Sequence, residues 1–227
     1  LKLGSPEGLD HDRALVEAVA EALDRQQQIG GPAAELQVDA NGGWDLEGAR
    51  AMVGWLADHR VALVEQPLPP IEDPEADSAA FAALELDCPI ALVADESCWT
   101  LADVVRLAPY VDGVNIKLLK SGGLGEALLM AQAARRLGLE VMLGCYSDSA
   151  LLNGAAAQLL PLVRWPDLDS HLNLVDDPFT GPTLEADRLH PGVSPGLGVA
   201  ITADFPGAAS PKGDTPGVEG PWPLPGA

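Results

Sequence analysis

Short apolar runs alternate with helix-patterned stretches along most of the chain, and no other feature constrains its fold as tightly. The runs fall at 1–3, 36–39, 61–65, 90–95, 111–117, 139–143 and 165–169. Between them lie helical stripes such as Leu15, Val16, Val19 and Leu23 within 12–25, or Ala49, Met52, Val53 and Leu56 after the capping residue Asp45. Further helices are expected over 78–86, from Thr100 with its capping-box-like start, over 124–137 and over 150–160. The period is roughly 25–30 residues, which makes seven β/α units, and each crossover returns the chain to the same end, so the strands pair in parallel. Near-continuous apolar runs indicate burial on both faces. A doubly wound sheet gathers its ligands at one switch point, whereas here polar residues end nearly every run. That is the arrangement of a (β/α)8 TIM-type barrel with its site on the C-terminal face. Seven units and an opening residue, Leu1, already inside a run predict an incomplete barrel whose first strand is absent. The barrel portion is expected over 1–204, and the Pro/Gly-rich stretch 205–227 reads as a flexible tail.

Charge excludes several function classes. A formal net charge of -21 argues against nucleic acid and anionic membranes as partners. No apolar run approaches the roughly 20 residues of a membrane span, and no basic segment precedes an apolar one as in a secretory signal. Cys88, Cys98 and Cys145 form no spaced pair and read as reduced thiols of a cytoplasmic protein. The open edges of an incomplete barrel invite pairing, either with another copy or with a missing N-terminal domain.

The chemistry is expected at the strand ends. The chain has only four lysines, Lys2, Lys117, Lys120 and Lys212, and two of them end apolar runs. Between Lys2 and Lys117 in strand order come Asp39, Glu65 and Asp95. Three carboxylates at one barrel mouth repel unless a cation sits among them, and hard oxygen ligands favour Mg2+, with Mn2+ second. Strands two and six face each other across a barrel, which sets Lys2 opposite Lys117. A carboxylate substrate held between them would present opposite faces of its α-carbon to two amines. One lysine would remove the α-proton and the other return it, with the metal stabilising the enediolate. Both amines need depressed pKa values, a shift that the nearby cation would supply, and Lys120 stands close enough in sequence to assist Lys117. His11, His59, His171 and His190 lack zinc spacing, and only His171 lies near the expected site.

These residues resemble the enolase superfamily, in its muconate-lactonising subgroup. The matching segments are Lys2-Leu-Gly4, Val38-Asp-Ala-Asn-Gly-Gly-Trp44, Val64-Glu-Gln-Pro67, Ala94-Asp-Glu-Ser97 and Asn115-Ile-Lys-Leu-Leu-Lys-Ser-Gly-Gly123. The resemblance implies Asp39, Glu65 and Asp95 as Mg2+ ligands and Lys2 and Lys117 as the acid/base pair, with Asn41, Glu96 and Lys120 supporting them. Asp167-Leu-Asp169 is similar to the Asp-x-Asp of dipeptide epimerases, where it implies that Asp167 and Asp169 hold the substrate ammonium. The implied activity is epimerisation of a dipeptide at its C-terminal residue, on the pattern of L-Ala-D/L-Glu epimerases. Related reactions through the same enediolate (o-succinylbenzoate synthase, cycloisomerase, N-acylamino-acid racemase) are the alternatives, as is a truncated, catalytically silent metal-binding barrel. Three departures accompany the resemblance. A first lysine of Lys-x-Lys would precede Leu1, the family's N-terminal capping domain is absent, and Tyr146-Ser-Asp148 replaces a Met-Ile-Glu-like run.

Overall fold

The computed structural model describes residues 1–185 and 188–202. Six strands, β1 (Leu36–Asp39), β2 (Val61–Glu65), β3 (Ala91–Ala94), β4 (Gly113–Ile116), β5 (Glu140–Leu143) and β6 (Trp165–Pro166), form one sheet in sequence order. Every neighbouring pair is parallel, and the register sets Asp39 beside Glu65 and Glu65 beside Val93. The 1–3 run does not extend into a strand. It attaches to β1 through a single parallel bridge, Lys2 to Asp39, with Leu3 N–H donating to the Asp39 carbonyl at 2.7 Å.

The sheet curls about its own inner layer. Leu63, Val93, Met142 and Trp165, from β2, β3, β5 and β6, touch one another in a cluster separate from the main core. Side chains from strands that are not neighbours meet in this way only on the concave side of a curved sheet. Gly113 on β4 leaves the room, since a Cβ there would lie 2.9 Å from the Trp165 ring. The result is an open part of a (β/α) barrel, as the strand pattern predicts.

Helices cover the outer face. The main ones are α1 (Leu9–Gln28), α2 (Leu46–Asp58), α3 (Pro74–Glu85), α4 (Leu101–Leu107), α5 (Leu118–Ser121), α6 (Leu124–Arg136) and α7 (Ala150–Ala157). On α2 the expected stripe of Ala49, Met52, Val53 and Leu56 is buried, and the Asp45 side chain accepts from Gly48 N–H at 2.7 Å. A fully buried Leu or Met stabilises by about 1.5–3 kcal/mol, so this stripe rather than local propensity holds the helix to the sheet. Thr100 and Asp103 complete the expected capping box.

Boundaries depart from expectation where a cap or a proline intervenes. The helix expected over 78–86 begins at Pro74, because Asp73 caps it and proline suits a first helical turn. The helix expected over 150–160 stops at Ala157, and a 3-10 turn, Leu160–Leu162, follows around Pro161. The last run shortens to Trp165–Pro166, after which Ser170–Asn173 coils into another 3-10 turn. Two small antiparallel pairs that the sequence did not suggest come next. Phe179–Thr180 (β7) pairs with Ala200–Ile201 (β10), and Thr183–Glu185 (β8) pairs with Arg188–His190 (β9). The expected tail, 205–227, lies outside the described residues. Among the described residues no helix is long and apolar enough to cross a membrane, and Cys88, Cys98 and Cys145 are unpaired.

Candidate active site

The residues that end the strands converge on one end of the sheet, and two cavities open there. The larger, of about 740 Å3, is lined by Lys2, Lys117, Asn41, Glu96, Asp167 and Asp169, with Tyr146 and Asp148 on its rim. The smaller, of about 150 Å3, lies within the curve of the sheet between Lys2, Asp39, Glu65 and Asp167. Of the ten expected site residues, eight line these two spaces. Asp95 and Lys120 lie beneath them, both buried.

Each carboxylate is matched to a donor. Lys2 Nζ bonds Asp39 Oδ2, and Asn41 closes over the same carboxylate through its backbone N–H at 2.7 Å and its side-chain amide at 3.1 Å. Asn41 holds a left-handed backbone, φ 46°, to make that turn. Glu65 accepts from the Asn115 amide at 2.6 Å. Lys117 donates to Asp95 Oδ2 at 2.6 Å, and Lys120 donates to Asp95 Oδ1 and to the carbonyls of Asp95 and Asn115 at 2.7 and 3.0 Å. Gly144, one residue past β5, makes room for this packing. A Cβ there would lie 2.6 Å from the Asn115 amide nitrogen and 2.9 Å from Lys117 Cε.

Burial and the paired carboxylates act in opposite directions on the two lysines. Burial works to lower the Lys117 ammonium's pKa, but the charge and hydrogen bond of Asp95 outweigh it and hold the group above the ordinary lysine range. Lys2 is likewise raised, with burial opposed by Asp39. The lysines and the carboxylates thus neutralise one another, and the depression expected of the amines is the shift that a cation at the acids would supply. Among the described residues no lysine bonds Glu65, whose donor is the Asn115 amide. Burial and then the charges of Asp39 and Asp95 push Glu65 up to about 8. Glu96 is raised by burial and by Asp95, and Asp167 by burial and by Asp169.

The donor set fits a hard divalent cation in chemistry. Asp39 and Glu65 line one cavity with Asp95 buried nearby, and Asn115 Oδ1 and Glu96 Oε2 are buried without a partner among the described residues. Carboxylate and amide oxygens of this kind are the hard donors that Mg2+ takes. As placed, no three His, Cys, Asp or Glu side chains among the described residues converge closely enough to ligate an ion, since each acid leans toward its own donor.

Several contributors escaped the sequence reading. Asn115 is a polar residue inside an apolar strand, which alone marked it for the inner face. Tyr146 lays its ring 4.7 Å from the Lys117 ammonium, a cation–π contact. Gln66 is fully buried with φ 35°. Its amide donates to the Leu68 carbonyl at 2.7 Å and to Ser97 Oγ at 3.0 Å, while its oxygen accepts from Asp95 N–H at 2.9 Å. Ser97 passes the network to Asp77, which pairs with Arg106. His171 donates or accepts at Asn153 and Pro182 rather than at the cavity.

Comparison with known proteins bears on the family and the fold. The profile of the enolase C-terminal domain-like family matches residues 1–205. A hydrophobic dipeptide epimerase of Roseobacter litoralis is 44% identical over 203 residues, covering 89% of this chain and 56% of the relative. The crystal structure of a dipeptide epimerase from Enterococcus faecalis V583 superposes with a TM-score of 0.75 at 33% identity, covering 88% of this chain and 56% of that one. A dipeptide epimerase from Cytophaga hutchinsonii, solved with Mg and the dipeptide D-Ala-L-Val, superposes with a TM-score of 0.71 at 26% identity over 84% of this chain and 52% of that one. The chain thus spans little more than half the length of these relatives. It belongs to the enolase C-terminal domain-like family.

Proposed function

We propose that the chain is the barrel portion of a dipeptide epimerase that inverts the α-carbon of the C-terminal residue. The observation that carries this reading is the pairing of two lysines with two different carboxylates, Lys2 with Asp39 and Lys117 with Asp95, on one cavity. A dipeptide seated between the two ammonium groups would have an amine on each side of its α-carbon. The lysine in its free-base form takes the α-proton, leaving the carbon planar, and the other, still protonated, delivers a proton to the opposite face. Asp167 and Asp169 stand on the same cavity as an anionic pair suited to the dipeptide ammonium, whose charge would offset their mutual repulsion. Asp39, Glu65 and Asp95 would hold Mg2+, whose charge lowers the proton affinity of the neighbouring lysines and offsets negative charge developing on the substrate carboxylate. Asn41, Glu96 and Lys120 support this set. Asn41 fixes Asp39, Glu96 faces the cavity, and Lys120 ties Asp95 to β4.

Proton NMR in D2O tests the reading with a small dipeptide panel. The Cα–H signal of the C-terminal residue should be lost with Mg2+ and retained with EDTA. Retention under both conditions across the panel overturns the epimerase assignment. Asp167→Asn should weaken binding of free dipeptides by about tenfold while leaving N-acylated amino acids nearly unaffected, as expected for loss of one charge-assisted contact. Equal losses on both ligands would remove the ammonium role.

A further inference from the structure

We propose that Asp12 is a positioning residue for Lys2: one carboxylate oxygen, buried on α1, clamps together the two loops that aim that lysine at the cavity. The inference rests on the reading of Lys2 as one of the two proton-transfer groups. Asp12 is 0% exposed, an uncommon state for a carboxylate without a cationic partner. Its Oδ2 accepts from Gly4 N–H at 3.0 Å and from the Trp44 indole N–H at 2.8 Å. Gly4 follows Lys2 by two residues, and Trp44 closes the loop that begins at Asp39, the partner of Lys2. The two loops meet backbone to backbone. A Cβ on Gly4, where φ is 73°, would lie 2.0 Å from the Ala40 carbonyl oxygen, and one on Gly43 would lie 2.2 Å from the Gly4 oxygen. Lys2 has no full strand to fix it, only the bridge to Asp39. Its direction therefore depends on this junction, and besides the Lys2–Asp39 pair itself Asp12 supplies the side-chain bonds that join its two sides.

The test compares the two faces of the substrate. Lys2→Ala first identifies the epimer whose α-proton exchange in D2O depends on Lys2. Asp12→Ala should then slow exchange from that epimer roughly ten- to a hundredfold more than from the other, the scale expected of a misplaced catalytic group. Asp12→Asn keeps one oxygen able to accept both bonds, so it should preserve the ratio between epimers even where it lowers thermal stability. If Asp12→Ala does not fold, Trp44→Phe, which deletes one donor and keeps a ring, should shift the same ratio in the same direction. A second readout needs no turnover. After reductive 13C-methylation, the Lys2 dimethylamine resonance should move in Asp12→Ala, or in Trp44→Phe, and stay in Asp12→Asn, with that of Lys117 unchanged in each. Absence of exchange from either epimer in the unaltered chain would count against the epimerase reading, while the methyl resonance would still decide the role of Asp12. Equal slowing from both epimers, or an unmoved Lys2 resonance, would show that Asp12 serves only the fold and overturn the inference.

Discussion

The two lysines of the mouth occupy unlike settings. The Lys117 side chain is 8% exposed, held by Asp95, capped by the Tyr146 ring and packed beneath the gap left by Gly144. The Lys2 side chain is 66% exposed and bonded to Asp39 alone. Placing the Lys117 ammonium requires a buried network, whereas placing that of Lys2 requires a loop junction. The same functional group is thus oriented by packing on one side of the cavity and by backbone geometry on the other. Substitutions should separate the two.

The largest expected effect is catalytic. Lys117→Ala should cut exchange from one epimer by about 10²–10⁴-fold, the usual contribution of a general acid or base, and leave exchange from the other epimer and Mg2+ binding measurable. Single-turnover exchange and titration calorimetry read the two quantities, and comparable losses from both epimers would break the two-base model.

Next comes stability. Lys120→Met strips a buried ammonium from Asp95 and from two carbonyls, and should cost about 3–5 kcal/mol in urea unfolding. Lys2→Ala removes an exposed ammonium from a buried Asp39 that keeps both Asn41 donors, and should cost less than Lys120→Met. Similar costs would erase the distinction between the sides.

The third effect concerns pH. The folded pKa of Glu65, about 8, exceeds the ordinary carboxylate value because the neutral form suits its buried, anionic surroundings. Folding is therefore favoured by this group at low pH, and the advantage is lost as pH rises from the carboxylate range through about 8, by about 2–3 kcal/mol once coupling to Asp39 and Asp95 is discounted. Thermal melts with EDTA should show that decline, and Mg2+ should flatten it. A pH-independent midpoint in EDTA would contradict the assignment.

The smallest is steric. In Gly144→Ala the added methyl meets Asn115 and Lys117 but nothing around Lys2. Exchange at the Lys117 face alone should fall by about tenfold.

Much of this was legible in the sequence because barrel chemistry sits at predictable points. A charged residue ending an apolar parallel strand has few places to go other than the mouth, and Asp39 and Glu65 end β1 and β2 as expected. What was illegible depended on contacts distant in sequence. Asp12 looks like any acid in a first helical turn until Trp44 and Gly4 close on it. Gln66 looks like the end of a strand before Pro67, and nothing local reveals its bonds to Leu68, Asp95 and Ser97. The one-turn helix Leu118–Ser121, ended by Gly122 with φ 85°, is too short to show periodicity. The pairs β7–β10 and β8–β9 are two or three residues long per strand, too brief for alternation to register.

Gln66 has a mechanical consequence. Its strained backbone follows directly on Glu65, its amide ends grip both Asp95 N–H and Ser97, and Ser97 leads outward to Asp77 and Arg106 on the outer helices. A push on α3 or α4 therefore reaches the carboxylates of β2 and β3 together, as a lever moves two pins on one arm. The rim residue Asp148 stands outside that linkage, its carboxylate accepting from Tyr146 N–H at 3.1 Å. Change at Asp148 can retune which ligand enters without moving the acids, so the two properties are free to drift at different rates.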